Sequence, residues 1–257
     1  MTTTVLVTGG TGRLGRALVP RLAAAGHTVR VLTRSTRAPA DWEWARGDLR
    51  TGNGIAAAVT GTQVIIHLAT TNGHGDVAAI RNLIDAAATA GKPHLVYVSI
   101  VGIDKVALGY YRAKVDCERL LEESGLPWTI QRTTQFHDMI TAICDAQSRL
   151  PVTIMPSKVS FQPIDVTEVA DRLVGIAAGP AAARMPDLGG PQVRSAAELA
   201  RTYLRAIGRR RAVWSIALPG KAMRDYRAGY QLCRERAVGQ IAFDEFVMRV
   251  ALERSGR

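Results

Sequence analysis

Tyr110 and Lys114 stand four residues apart in Tyr110-Tyr111-Arg112-Ala113-Lys114, a spacing that puts both on one face of a helix with Cβ atoms about 5–6 Å apart. A phenol and an ammonium so placed can act as a proton donor and its tuner, because the cation favours phenolate and draws the phenol pKa down from about 10. Ser99, eleven residues upstream of Tyr110, offers a hydroxyl that can bond the same reacting oxygen. Singly, each has an ordinary reading: Tyr and Lys at this interval occur in many amphipathic helices, and Ser after a strand is common turn chemistry.

A second constellation lies at the start of the chain. Val5-Leu6-Val7-Thr8 runs straight into Gly9-Gly10-Thr11-Gly12-Arg13-Leu14-Gly15, which fits both Gly-x-Gly-x-x-Gly and Gly-x-x-Gly-x-x-Gly. The context is a strand before the loop and an apolar-periodic helix after it, in Leu14, Leu18, Val19, Leu22 and Ala25. Free N–H groups and the positive dipole end of a helix starting near Arg13 would face a pyrophosphate, and glycines let the backbone approach it. The second strand, Thr28 to Thr33, ends in Arg34-Ser35-Thr36-Arg37, and no acid occurs before Asp41. An NAD site usually carries an acid there for the ribose 2′-hydroxyl. Arg34, with Arg13 from the loop, instead suits a 2′-phosphate, since a guanidinium fork matches phosphate oxygens. Arg37 is expected to face water.

These groups need a scaffold. The first 150 residues alternate strands (4–8, 28–33, 43–46, 63–68, 94–98, 128–131) with helices (from 13, 77–90, 110–124), which predicts an α/β fold of the doubly wound, Rossmann type with a parallel sheet. Ligands then lie beyond the carboxyl ends of the strands. Asp48 and Leu49 follow the third strand and can flank an adenine; Ala69 and Thr70 follow the fourth and leave room for the middle of a cofactor; Ser99 follows the fifth. Residues 1–150 are read as an NADP-binding domain and 151–257 as a smaller substrate lobe packed on it. In that lobe Trp214, Leu218, Met223, Tyr226 and Tyr230 either roof the cleft or bury the lobe, and most are expected to be buried. Phe136 and His137, past the sixth strand, are candidate substrate-pocket residues; His137 is an acid or base, or else a buried hydrogen-bonded histidine.

Composition narrows the class. With 257 residues and 47% hydrophobic composition the chain can bury a large core. Of 33 basic residues only 5 are Lys, and the formal charge of +11 is spread over both halves. No basic stripe with interleaved aromatics marks a nucleic-acid binder, and Arg209-Arg210-Arg211 reads as a solvated helix end. Cys117, Cys144 and Cys233 are odd in number and far apart, which predicts reduced thiols in a cytoplasmic protein. No histidine pair has metal-ligand spacing, and neither a secretory leader nor a membrane span is expected.

Thr8-Gly9-Gly10-Thr11-Gly12-Arg13-Leu14-Gly15, Ser99 and Tyr110-x-x-x-Lys114 resemble the short-chain dehydrogenase/reductase superfamily. Val96-Tyr97-Val98-Ser99, Glu118-Arg119, Ser124-Gly125-Leu126-Pro127-Trp128, Gln135-Phe136 and Phe161-Gln162-Pro163-Ile164-Asp165-Val166 are similar to its atypical, NmrA-like NAD(P)H-binding branch. The likeness covers residues 4–180 and thins beyond Pro180. It implies that Gly9, Gly12 and Gly15, within Thr8 to Gly15, hold the pyrophosphate, Arg13 and Arg34 the 2′-phosphate, Asp48 and Leu49 the adenine, and Ala69 and Thr70 the cofactor's middle. It further implies that Lys114 bonds the nicotinamide ribose, Tyr110 moves the substrate proton and Ser99 orients the oxygen. Thr133 stands after Arg132 where the family commonly has Pro.

The expected function is an NADPH-dependent reductase of a small organic carbonyl, with NADP(H) as cofactor and a small molecule as partner, and with no nucleic acid or membrane. Two other classes share the fold: an NADP(H)-sensing regulator without chemistry, and a non-redox isomerase, dehydratase or cyclase. Fold alone does not choose among them.

Overall fold

A computed structural model describes residues 2–71 and 73–255. In chain order the elements are β1 (Thr4–Thr8), α1 (Arg13–Ala24), β2 (Thr28–Thr33), β3 (Glu43–Arg46), α2 (Ile55–Val59), β4 (Val64–His67), α3 (Gly75–Thr89), β5 (His94–Ile100), α4 (Gly109–Glu122) and β6 (Trp128–Thr133). There follow α5 (His137–Ala146), β7 (Val152–Pro156), β8 (Ser160–Phe161), α6 (Val166–Ala177), β9 (Ala183–Arg184), β10 (Arg194–Ser195), α7 (Ala196–Ala206), β11 (Ala212–Ile216), α8 (Lys221–Ala228), a 3₁₀ turn at Arg234–Arg236 and α9 (Phe243–Ser255). The chain forms two compact units. One takes the residues up to Ser99, Leu108–Arg132 and Val169–Pro186; the other takes Ile100–Ala107, Thr133–Glu168 and the chain from Asp187 onward.

The first unit is built on a parallel sheet of seven strands in the order β3-β2-β1-β4-β5-β6-β9. The expected α/β doubly wound fold is what the chain forms. Strands of such a sheet are covered on both faces, so they read as continuous apolar runs: Val5, Leu6 and Val7 are all fully buried. Val5 pairs with Val29 on one side and Val64 on the other, which sets β1 at the centre. The chain moves outward from β1 through β2 to β3, then returns to its other side for β4. At that reversal the loops after β1 and β4 diverge and leave a crevice beyond their carboxyl ends. Leu6, Ile65, Ile80, Leu83, Leu95 and Tyr97 belong to one buried cluster beneath it. Truncating one of these leucines to Ala is expected to cost about 2–5 kcal/mol.

The second unit gathers α5, α7 and α9 around Ile140, Cys144, Leu199, Tyr203, Phe243 and Phe246, with an antiparallel pair β10-β8 and a parallel pair β11-β7. A reciprocal capping box starts α7: Ser195 accepts from the Glu198 backbone N–H, and the Glu198 carboxylate accepts from the Ser195 N–H. The aromatic stretch that follows corrects an expectation. Trp214 is 59% and Tyr230 44% exposed, and α8 buries no residue. Tyr226 does pack on the core, edge-on to Phe161 at 6.0 Å. The other side chains recur too irregularly, among too many arginines, to share one apolar face.

Candidate cofactor and proton-transfer site

In the first unit a cleft of about 380 Å³ opens at the crevice. Its phosphate end is lined by Gly9, Thr11 and Gly12. Gly9 has φ +70°, and a Cβ there would stand 2.7 Å from the Ala69 nitrogen, so the left-handed turn and the close pass of the β4 loop both require glycine. A Cβ on Gly15 would meet the Gly9 carbonyl oxygen at 2.4 Å. Gly15 thus lets α1 press against the loop, while Gly9 and Gly12 face the cleft. Gly10, Leu14 and Gly15 are buried behind the loop. Thr8 is also fully buried, its Oγ1 2.7 Å from Nδ1 of His67 across the β1–β4 pairing.

The adenosine end is lined by Arg34, Ser35, Arg37, Asp48 and Leu49. The Asp48 carboxylate accepts from the Arg50 N–H at 2.9 Å, and Asn82 Nδ2 donates to the Leu49 carbonyl at 2.7 Å, which holds this loop in shape. Arg37, expected only to face water, lines the cleft beside Arg34, just past the bend at Arg34 and Ser35. Arg13 is exposed in the first turn of α1 and is not part of the lining.

At the third end stand Ala69, Thr70, Thr71 and Asp76. Asp76, in the first turn of α3, is 1% exposed. It accepts from Thr70 Oγ1 at 2.6 Å, from the Thr71 N–H at 2.5 Å and from Thr71 Oγ1 at 2.8 Å. Lys114 Nζ lies 3.8 Å from the same carboxylate. That ammonium also sits 4.8 Å from the Tyr97 ring centre and 5.8 Å from that of Tyr110, and burial lowers its pKa against the pull of Asp76. Below it, Tyr97 stacks on His67 at 5.6 Å. Burial holds His67 neutral, its pKa down to about 3.

Tyr110, half-buried in the first turn of α4, hydrogen-bonds to Thr70, and burial outweighs that bond to push its phenol up to about 12. The expected downward tuning by Lys114 is therefore corrected: the ammonium is matched to Asp76, and desolvation governs the phenol. The phenol stays protonated at neutral pH. Ser99 is 1% exposed, and its Oγ has no hydrogen-bond partner among the described residues. Thr70 and Asp76 thus join the Tyr110–Lys114 pair to the cleft, and neither Asp76 nor His67 was singled out in the sequence. An acid in the first turn of α3, six residues after Thr70, was the available signal for Asp76.

In the second unit Phe136 caps α5 and is half-buried. His137 is fully buried, with Nε2 3.0 Å from the Ile241 carbonyl and its ring 5.0 Å from Phe246 and 5.5 Å from Phe243. Burial lowers its pKa. The acid–base alternative is corrected: the imidazole is a core residue tied to the backbone.

A loop that a Cβ would fill at Gly9, arginines at the far end and an unpartnered buried hydroxyl at Ser99 suit a nicotinamide dinucleotide. Among the described residues no helix is long and apolar enough to cross a membrane, and no grouping of His, Cys, Asp and Glu suits a metal ion. A family profile described as NAD(P)H-binding matches residues 9–179. The photosystem II assembly factor Ycf39 of Cyanophora paradoxa is 35% identical over 145 residues, which is 51% of this chain and 45% of that protein. The isoflavone reductase homolog IRL of Zea mays is 32% identical over 146 residues, 49% of this chain and 46% of that protein. The aligned stretch thus spans less than half the length of either relative. The NADPH-dependent quinone oxidoreductase QOR2 of Escherichia coli, solved with NADPH, superposes with a TM-score of 0.81 over 96% of this chain and 99% of that one at 18% identity, a likeness of fold. The chain belongs to the NAD(P)H-binding family whose profile it matches.

Proposed function

We propose that the protein is an NADPH-dependent reductase of a small organic carbonyl, with Tyr110 as the proton donor. The observation that carries this is the placement of the Tyr110 phenol, bonded to cleft-lining Thr70 and with Lys114 Nζ 5.8 Å from its ring centre. A phenol is in its acid form at neutral pH, the form the reductive direction uses, and charge developing on the substrate oxygen has to draw the proton from it against the upward pull of burial. When bound, a reduced nicotinamide supplies hydride to the carbonyl carbon. Tyr110 then gives its proton to the oxygen as charge develops there, and solvent restores the phenol. Lys114, its ammonium fixed by Asp76 beside the phenol ring, bonds the nicotinamide ribose of the bound cofactor. Ser99 offers its free hydroxyl to the same oxygen. Gly9 and Gly12 cradle the pyrophosphate, Asp48 and Leu49 flank the adenine, and Arg34 with Arg37 takes the 2′-phosphate, which favours NADP over NAD.

The three free thiols, of which Cys117 is pushed up to about 11 by burial, suit a reducing cytoplasmic setting. The test is NADPH oxidation with a panel of small carbonyls that includes quinones. Tyr110→Phe is expected to lower turnover by about 10²–10⁴-fold with NADPH binding retained, and Arg34→Ala to weaken NADPH while leaving NADH binding unchanged. NADPH binding without Tyr110-dependent oxidation assigns the site to a regulator instead. Product formed at constant NADPH absorbance assigns it to an isomerase, dehydratase or cyclase.

A further inference from the structure

The second unit holds a cleft of its own, of about 730 Å³, whose walls carry Arg194, Arg201, Arg205, Arg209, Arg210 and Arg211. Three elements bring them together. Arg201 and Arg205 lie four residues apart on one face of α7, with Glu198 three residues before Arg201 on the same face. Arg209, Arg210 and Arg211 follow Gly208 on the turn into β11, and Arg194 enters from β10. Leu204, Gly208 and Ala212 supply the less polar lining. Read as a sequence, Arg209-Arg210-Arg211 is an ordinary solvated helix end. In three dimensions Arg194 and Arg201 face the same space although neither sits at the C-terminus of α7, so compensation of the helix dipole does not account for the group.

The charges are unevenly answered. Arg194 is paired with Asp244 and bonds Thr202 Oγ1 at 2.8 Å. Arg211 donates to the backbone carbonyls of Gln147 at 2.8 Å and Ser148 at 2.6 Å, which fixes its guanidinium and leaves its charge uncompensated. Glu198 is committed to the cap of α7 through Ser195, beside Arg194 and Arg201. For Arg201, Arg205, Arg209 and Arg210 no carboxylate lies within ion-pair distance among the described residues, and Arg209 and Arg210 are exposed.

We propose that this cleft binds a small soluble polyphosphate, inorganic or organic. Guanidinium forks converging from several sides match the oxygens of adjacent phosphates, and the volume lies in the range of about 300–1,000 Å³ typical of small-molecule sites. A nucleic-acid strand needs charges strung along an extended track. Here they surround a concavity that Glu198 bounds on one wall. The site is separate from the dinucleotide cleft and independent of the reductase reading.

The test is calorimetric titration with tripolyphosphate at low ionic strength. Wild-type protein is expected to bind it, and the Arg209→Ala/Arg210→Ala variant to bind at least ten-fold more weakly with its melting temperature and NADPH affinity unchanged. Arg81→Ala/Arg172→Ala, which removes the same charge from exposed positions of the other unit, is expected to bind as wild type does. Arg34→Ala, in the dinucleotide cleft, is likewise expected to leave tripolyphosphate binding unchanged. No binding by the wild type overturns the proposal, as does an equal loss in either control. So does tighter binding of a single-stranded oligonucleotide or of anionic phospholipid vesicles than of tripolyphosphate.

Discussion

Two buried charge pairs sit one turn apart on α4, and they are built differently. Glu118 receives Arg132 in a two-point fork, from Nε at 2.8 Å and Nη2 at 2.6 Å, with Arg184 at 3.5 Å. Lys114 meets Asp76 at a single point, 3.8 Å away, and the rest of the Asp76 carboxylate is satisfied by Thr70 and Thr71. The first pair locks α4 to β6 with a rigid fork. The second leaves an ammonium with protons to spare between two phenol rings and next to a cleft. A point charge on a flexible stem can shift toward a bound ligand, where a planar fork cannot. Both pairs are nearly removed from water, so burial alone does not tell them apart; the number of bonds each leaves unmade does.

The sharpest contrast comes from removing one partner of each pair. Arg132→Met leaves the Glu118 carboxylate buried without its fork and is expected to cost about 3–5 kcal/mol in stability, read from chemical denaturation, while protein that remains folded keeps its NADPH affinity. Lys114→Met leaves Asp76 with three hydrogen bonds and is expected to cost only about 1–2 kcal/mol in stability and about 10²–10³-fold in turnover. If the two variants lose stability equally with turnover unaffected by Lys114→Met, the second pair is as structural as the first.

A smaller effect concerns the floor under Lys114. The His67 pKa is about 3 in the folded protein against 6.5 ordinarily, so the unfolded chain takes up a proton between those values and the folded one does not. Stability is then full above pH 6.5 and falls on acidification toward pH 3, by about 1.4 kcal/mol per pH unit for each such histidine well below its ordinary pKa. His94 and His137 are lowered in the same direction by burial and add to the slope. Denaturation midpoints at pH 7.5, 6 and 5 test this, and His67→Asn is expected to flatten the dependence.

Much of the first unit is legible in the chain itself. Apolar runs such as Val5 to Val7 and Gln63 to Leu68 mark buried strands, and the spacing of Leu14, Leu18, Val19 and Leu22 marks the helix between the first two. Other elements leave no such trace. β9 is two exposed residues, Ala183 and Arg184, which pair with Thr129 and Ile130 without any hydrophobic pattern. In the second unit short strands and an α8 without buried residues dilute periodicity, and the aromatic stretch from Trp214 to Tyr230 is more exposed than its composition suggests. His137, next to Phe136 after a strand, reads equally as catalytic or structural until Phe243 and Phe246 close over it from more than a hundred residues away.

What the sequence by itself determined is the set of local constraints: a glycine loop between strand and helix, an arginine where an acid would select NAD, and Tyr110 and Lys114 on one helical face. Each depends on residues a few positions apart, where backbone geometry alone dictates who meets whom. The tertiary structure decided the electrostatics. Asp76 comes from α3 to match Lys114, desolvation drives the Tyr110 phenol upward, and Arg194 joins Arg209 to Arg211 around a second cleft. Burial and charge pairing are set by what the fold packs around a group, and those neighbours lie far away along the chain.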